Sequence, residues 1–242
     1  MSDILLAGKD LPDCLEFAEG LLNSNKVFTC AKKDLDLSPF ESEGIYSCQW
    51  NRSSAISSRS FIIKAETTMQ ELDQYVIYFD SMFFASKFEL DKTENVSVAL
   101  DTMFASYQFF VNELLLRLEQ KKDPAVVSFV LRSYPSKFET LHSSNKSVNL
   151  VPSSNIVNAA QCAFVSLAEN ISTLVADKPY MSVVLVNCEP ANEMYNDEKA
   201  LGTWVSQTMD SVRKQKSHQS VKQASTWLKP GTKVSTGFSF FR

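Results

Sequence analysis

Few side chains in this sequence stand where they could begin a reaction. Ser133, beside Tyr134 at the end of an apolar run, is the one serine that could act as a nucleophile. Such a serine needs an adjacent base that a third group orients. The two histidines, His142 and His218, lie in polar stretches with no motif around them. We therefore predict no catalytic residue, and Ser133 is the only candidate left.

Metal ligation is equally poorly supported, because the histidines are isolated and no recurrent ligand spacing occurs. An acidic cluster, Glu193, Asp197 and Glu198, follows Pro190 and is typical of a solvated loop or helix start. We predict no metal site.

The odd number of cysteines and the lack of any C-x-x-C favour a reducing compartment. These cysteines are Cys14, Cys30, Cys48, Cys162 and Cys188.

Glycine is scarce, with six residues among 242, where an ordinary chain would carry about seventeen. Gly8 alone follows the first apolar run, Ile4 to Ala7, where a strand would lead into a helix. A dinucleotide-binding turn needs further glycines there so that the backbone can approach a pyrophosphate. Pro12 and Cys14 stand in their place and are expected to fill that space. Gly8 remains the one candidate cofactor contact, and no cofactor is predicted.

Hydrophobic patterning predicts alternating strands and helices, which require crossover connections and so indicate a doubly wound parallel α/β sheet. We expect a single domain over residues 1–242. The polar stretches Asn51 to Ser60 and Pro135 to Pro152 are expected to be surface connections. The predicted strands are Ile4 to Ala7, Val27 to Ala31, Ile45 to Trp50, Tyr75 to Phe79, Ala125 to Leu131, Met181 to Val186 and Thr232 to Phe241. The predicted helices are Cys14 to Asn23, Val96 to Gln120, Asn155 to Leu174 and Ala200 to Lys214.

The net charge of −4 comes from acids and bases spread along the chain, so no basic face is available for nucleic acid. The amino terminus lacks a basic region, and no stretch approaches eighteen apolar residues. We expect no nucleic-acid partner, no membrane segment and a cytoplasmic location.

Several segments in this order resemble the short-chain dehydrogenase/reductase family. The clearest is the carboxyl end, where Trp227-Leu228 is followed by Thr236-Gly237, as in the family's W-L and T-G positions. Ser182 to Pro190 is similar to the strand and proline before the family's substrate loop, although Ala191 replaces the usual glycine. The other segments in family order are Met103 to Leu118, Val126 to Ser133 and Ser166 to Asn170.

The functional motifs of that family are not intact in this chain. Its T-G-x-x-x-G-x-G turn is matched only at Ala7-Gly8. Where the family has N-N-A-G, this chain has Phe79-Asp-Ser-Met82, which places the carboxylate of Asp80 near the position that a dinucleotide would occupy. Its Y-x-x-x-K pair, in which lysine lowers the tyrosine pKa for proton transfer, falls on Ser153 and Val157. A shift of two residues gives Asn155 and Ala159 instead.

The resemblance therefore implies a catalytically silent relative kept as a binding or assembly scaffold. One alternative is a divergent NAD- or NADP-dependent oxidoreductase that uses Ser133, with Lys32 and Lys33 near a 2′-phosphate. Another is a small-molecule module lined by the apolar side chains at 82–84. The family resemblance and the broad apolar faces of the 96–120 and 155–174 helices predict a homodimer or homotetramer through these helices.

Overall fold

A computed structural model describes residues 2–23, 25–88, 95–135, 154–216 and 226–232. Its strands form one seven-stranded parallel sheet in the order β3-β2-β1-β4-β5-β6-β7. The predicted doubly wound parallel sheet is confirmed. The strands are β1 (Asp3–Ala7), β2 (Val27–Cys30), β3 (Ile45–Cys48), β4 (Leu72–Asp80), β5 (Ala125–Arg132), β6 (Met181–Cys188) and β7 (Trp227–Leu228).

Helices cover both faces of the sheet. They are α1 (Leu15–Leu22), α2 (Ser38–Ser42), α3 (Ala55–Thr68), α4 (Ser81–Lys87), α5 (Val96–Leu100), α6 (Ser106–Lys121), α7 (Asn155–Leu174) and α8 (Glu198–Lys216). A π-helical turn, Asp101–Ala105, joins α5 to α6, and a 3₁₀ turn, Glu193–Asn196, precedes α8. The predicted long helix at 96–120 is therefore one helical run with a π turn inside it.

Two hydrophobic cores lie on opposite faces of the sheet because alternate residues of its central strands point to opposite sides. From β4, Tyr75, Ile77 and Phe79 enter the core under α3, α6 and α7. Val76 and Tyr78 enter the core under α1 and α8. Strands buried on both faces explain the nearly continuous apolar runs of the sequence.

The structure corrects the expectation for the stretch 51–60 and describes little of two further predicted segments. The stretch Asn51 to Ser60 is not all connection, because α3 begins at Ala55, where the hydroxyl of Ser54 accepts a hydrogen bond from the backbone N–H of Ser57. The predicted strand Thr232 to Phe241 and the connection Pro135 to Pro152 lie almost entirely outside the described residues. The strand that pairs with β6 is Trp227–Leu228.

No helix in the described part of the chain is long and apolar enough to cross a membrane.

Candidate functional site

The strand order reverses between β1 and β4, which in doubly wound sheets opens a crevice at the carboxyl ends of these strands. Three charged side chains stand at this edge. Lys9 follows β1 after Gly8, Asp80 ends β4, and Arg132 ends β5, where it is paired in register with Asp80.

A fourth charge, Glu198, comes from the first residue of α8. The helix begins there because the side chain of Asp197 accepts a hydrogen bond from the backbone N–H of Ala200 at 2.8 Å, as a capping residue does. This start brings the Glu198 carboxylate over the carboxyl edge of the sheet, so the acidic cluster at 193–198 is not simply solvated. The residues Lys9, Asp80, Arg132 and Glu198 are called the charge cluster below.

Short hydrogen bonds join the four members of the charge cluster. The Lys9 ammonium donates to Asp80 at 2.8 Å and to both oxygens of Glu198 at 2.7 and 2.6 Å. Nη1 of Arg132 donates to Asp80 at 3.2 Å and to Glu198 at 2.9 Å. The exposed fractions of the four side chains are 3% for Lys9, 0% for Asp80, 8% for Arg132 and 14% for Glu198. Two positive and two negative charges therefore cancel within a buried volume.

Burial and the neighbouring charges set the protonation of the charge cluster. Burial raises the pKa of Glu198, and the nearby Asp80 adds to this effect against the attraction of Lys9 and Arg132. Burial alone would lower the pKa of Lys9, but the carboxylates of Asp80 and Glu198 raise it above its ordinary value. Burial also raises the pKa of Tyr78, whose hydroxyl lies 3.4 Å from both carboxylates and stays protonated.

Neither of the two residues predicted to fill the phosphate turn lines the crevice. Pro12 is exposed and does not line the crevice, whereas Cys14 is buried with its sulfur 3.8 Å from the hydroxyl of Thr29. The segment after Gly8 runs along the end of β2, because the backbone N–H of Leu11 donates to the carbonyl of Cys30 at 2.8 Å. Lys9 then carries its ammonium into the crevice.

Gly8, the candidate cofactor contact, has a structural role. A Cβ at this position would lie 2.8 Å from the carbonyl oxygen of Tyr78, so glycine lets β1 and β4 end close together. The carbonyl of Gly8 accepts a hydrogen bond from Nη2 of Arg52. The same nitrogen donates to Asp10 at 2.8 Å, and the guanidinium lies 4.5 Å from the ring centroid of Trp50. Arg52 thus covers the ends of β1 and β2.

Ser133 is placed beside the crevice but outside its lining. Its hydroxyl donates to the backbone carbonyl of Cys188 at 3.4 Å, and its own carbonyl accepts from the hydroxyl of Tyr195. His142 and His218 lie outside the described residues. Val157, one position of the displaced tyrosine-lysine pair, is fully buried in α7, and Ser153 lies outside the described residues.

The remaining predicted candidates lie in an ion pair, on the crevice wall or in the core. Lys32 forms an ion pair with Asp13 at 2.7 Å. Met82 and Phe83 line the crevice, but Phe84 is buried against Phe79 with ring centroids 5.0 Å apart. No group of three or more His, Cys, Asp or Glu side chains that could hold a metal ion occurs in the ranges that the structure describes.

The sheet order and the position of the crevice define a Rossmann-like α/β protein. A protein from Sinorhizobium meliloti described as a short-chain dehydrogenase/reductase superposes with a TM-score of 0.62 at 9% identity, covering 97% of each chain. An alcohol dehydrogenase from the archaeon Thermococcus sibiricus, solved with 5-hydroxy-NADP, gives 0.55 at 12% identity over 93% of this chain and 95% of that one. A short-chain oxidoreductase from Pseudomonas aeruginosa with an atypical catalytic centre gives 0.55 at 18% identity, covering 78% and 69%.

No family model and no curated protein matches the sequence. The structural similarity nevertheless shows that this chain has a short-chain dehydrogenase/reductase-like fold. The family resemblance read from the sequence is confirmed at the level of the fold.

Proposed function

We propose that this protein is a catalytically silent relative of the short-chain dehydrogenases that binds no dinucleotide and serves as a binding or assembly scaffold. The observation that carries the proposal is the charge cluster, which stands at the switch point of the sheet. A diphosphate placed there would face the carboxylates of Asp80 and Glu198 and would have to break their bonds to Lys9 and Arg132. Separating buried charge pairs is costly.

The adenosine side of the crevice supports the same proposal. In nucleotide-binding sheets of this type, the ribose lies near the end of the second strand. Here Nη2 of Arg52 lies 3.5 Å from the sulfur of Cys30 at the end of β2 and is also bound to Asp10. The chain's own guanidinium therefore competes for the space of a ribose.

Isothermal titration with NAD, NADH, NADP and NADPH tests the proposal. We expect no measurable heat of binding from any of the four. A dissociation constant in the low micromolar range for one of them would overturn the silent function and favour the divergent oxidoreductase.

We further propose that the protein self-associates through α6 and α7 as a homodimer or homotetramer. Leu116 on α6 and Leu174 at the end of α7 are 55% and 60% exposed and line one apolar groove with Leu115 and Val175. Large apolar side chains clustered on a surface mark interaction sites.

The five free cysteines, four of them buried, support the cytoplasmic location that we propose.

A further inference from the structure

A cavity of about 470 Å³ remains above the charge cluster. This volume is in the range that small ligands occupy in proteins. Its walls combine apolar and polar groups. The lining residues used below are Met82, Phe83 and Ser86, with the charge cluster and Asp13.

Arg132 lines this cavity with part of its hydrogen-bonding capacity unused. A guanidinium carries five N–H donors, and both bonds from Arg132 to the described residues come from Nη1. Its Nε is buried and has no hydrogen-bond partner among the described residues. A buried donor without an acceptor costs free energy. The guanidinium of Arg132 lines the cavity, so a ligand that fits this place supplies a hydrogen-bond acceptor for its remaining donors.

The charges around the cavity favour one negative charge on that ligand. The charge cluster is neutral, and Asp13 is balanced by Lys32. Lys87 adds a positive charge, because its ammonium lies 5.4 Å from the ring centroid of Phe83 and forms no ion pair with the described residues. A second negative charge on the ligand would instead face Asp80 and Glu198.

We propose that the cavity binds a small monocarboxylate with an apolar body. The carboxylate accepts hydrogen bonds from the free donors of Arg132, and the body packs on Met82 and Phe83. Carboxylates bound by arginine form strong, charge-assisted hydrogen bonds. The inference rests on the proposed function in one respect, namely that no dinucleotide fills the crevice.

Benzoate, benzamide and phthalate are the probes, because they share a ring and differ in charge. Methyl NMR of the methionines, with the Met82 resonance identified from Met82→Leu, reports binding at the cavity wall. We expect benzoate to shift the Met82 methyl saturably and to bind at least about tenfold more tightly than benzamide or phthalate. Equal affinity for benzamide, or no shift with benzoate across the millimolar range, would overturn the proposal.

A second comparison leaves the charge cluster intact. Ser86 is exposed on α4 and lines the cavity, so Ser86→Trp should fill its mouth and reduce benzoate affinity at least about tenfold. Thr67→Trp, at an exposed position of α3 that does not line the cavity, is the matched control and should bind as the wild type does. Unchanged binding in Ser86→Trp contradicts the proposed site.

The two proposals fail in distinguishable ways. A dinucleotide that binds in the calorimeter overturns the silent function, whatever benzoate does. Failure of benzoate at Met82, with no dinucleotide binding, removes the monocarboxylate site and leaves the silent scaffold standing.

Discussion

The carboxylate of Asp80 accepts hydrogen bonds from the Lys9 ammonium, from Arg132 and from the backbone N–H of Phe83. The last of these caps the first turn of α4. One side chain therefore pairs with two buried cations and also caps a helix. Because Asp80 is inaccessible to solvent, water cannot replace these interactions if its charge is lost.

Asp80→Asn should reduce the free energy of unfolding by about 3 kcal/mol, because it leaves buried cations short of a counter-charge. Urea unfolding followed by circular dichroism measures the loss. Asp123→Asn, at an exposed position before β5, is the matched control and should change stability by less than about 0.5 kcal/mol. Equal stabilities for the two variants would show that the charge cluster does not hold the fold together.

The raised pKa of Glu198 gives stability a definite pH dependence. The folded state holds this proton to higher pH than the unfolded state, whose carboxyl has the ordinary value of 4.5. The free energy of unfolding of the wild type, measured against that of Glu198→Gln, should therefore fall as the pH rises from 4.5 to the raised pKa of the folded state. Above that pKa the difference should level off. The charged and titratable groups that face Glu198 are Lys9, Arg132, Asp80 and Tyr78.

Urea unfolding of the wild type and of Glu198→Gln at a series of pH values tests this sign. Glu41→Gln, at an exposed position of α2, is the control and should run parallel to the wild type. A wild type that gains stability over Glu198→Gln through this pH window would contradict the assigned direction.

Sequence reasoning placed Asp80 near the crevice but missed its partners. No pattern marks Lys9 beside Gly8. The acids at 193–198 indicate a solvated loop or helix start, and α8 does begin at Glu198, but the burial of the Glu198 carboxylate is not predicted because neighbouring acids in a polar stretch usually face water. Arg52 lies in a stretch whose polar composition predicts a surface connection. Ion pairs between residues 189 positions apart, such as Lys9 and Glu198, leave no local pattern in a single sequence.

The contact between α1 and α8 explains two of the six glycines. A Cβ on Gly20 would lie 2.2 Å from the carbonyl oxygen of Lys199, and one on Gly202 would lie 2.4 Å from that of Phe17. Both distances are far below van der Waals contact with a rigid backbone. The glycines let α8 approach α1 closely, and this approach helps to set where Glu198 stands.

Gly202→Ala should force the two helices apart and reduce the free energy of unfolding by about 1–3 kcal/mol, despite the better helix propensity of alanine. Chemical unfolding measures the change. Gln207→Ala, exposed on the same helix, is the control and should be nearly neutral. A Gly202→Ala protein as stable as this control would contradict the close packing of α1 on α8.

The buried strands and the longer amphipathic helices can be predicted because their apolar residues recur with a regular period. Helix α3 lacks such a signal: its first turns are serine-rich and exposed, and its buried residues are only Ser58, Phe61, Ile62 and Ala65. The π turn at Asp101–Ala105 cannot be predicted either, because hydrophobic spacing does not distinguish it from an α-helix.

For the whole molecule, the alternation of strands and helices predicts the doubly wound parallel sheet but not the order of its strands. The proposed assembly depends instead on apolar side chains that the described residues leave exposed. Leu116→Glu should place a charge in the proposed subunit interface and weaken self-association at least about tenfold. Analytical ultracentrifugation measures the association. Ile56→Glu is the control, because Ile56 is 78% exposed on α3 and lies outside the groove. A wild type that sediments as a 27.2 kDa monomer at micromolar concentration would contradict the assembly proposal.

We propose that the chain's own charges occupy the place of a dinucleotide. A crystal structure of the protein grown with millimolar NADH or NADPH shows whether they do. We predict a crevice without nucleotide, in which the Lys9 ammonium stays within hydrogen-bonding distance of Asp80 and Glu198. Electron density for a dinucleotide across the ends of β1 and β4, with those bonds broken, would contradict the proposed silent function.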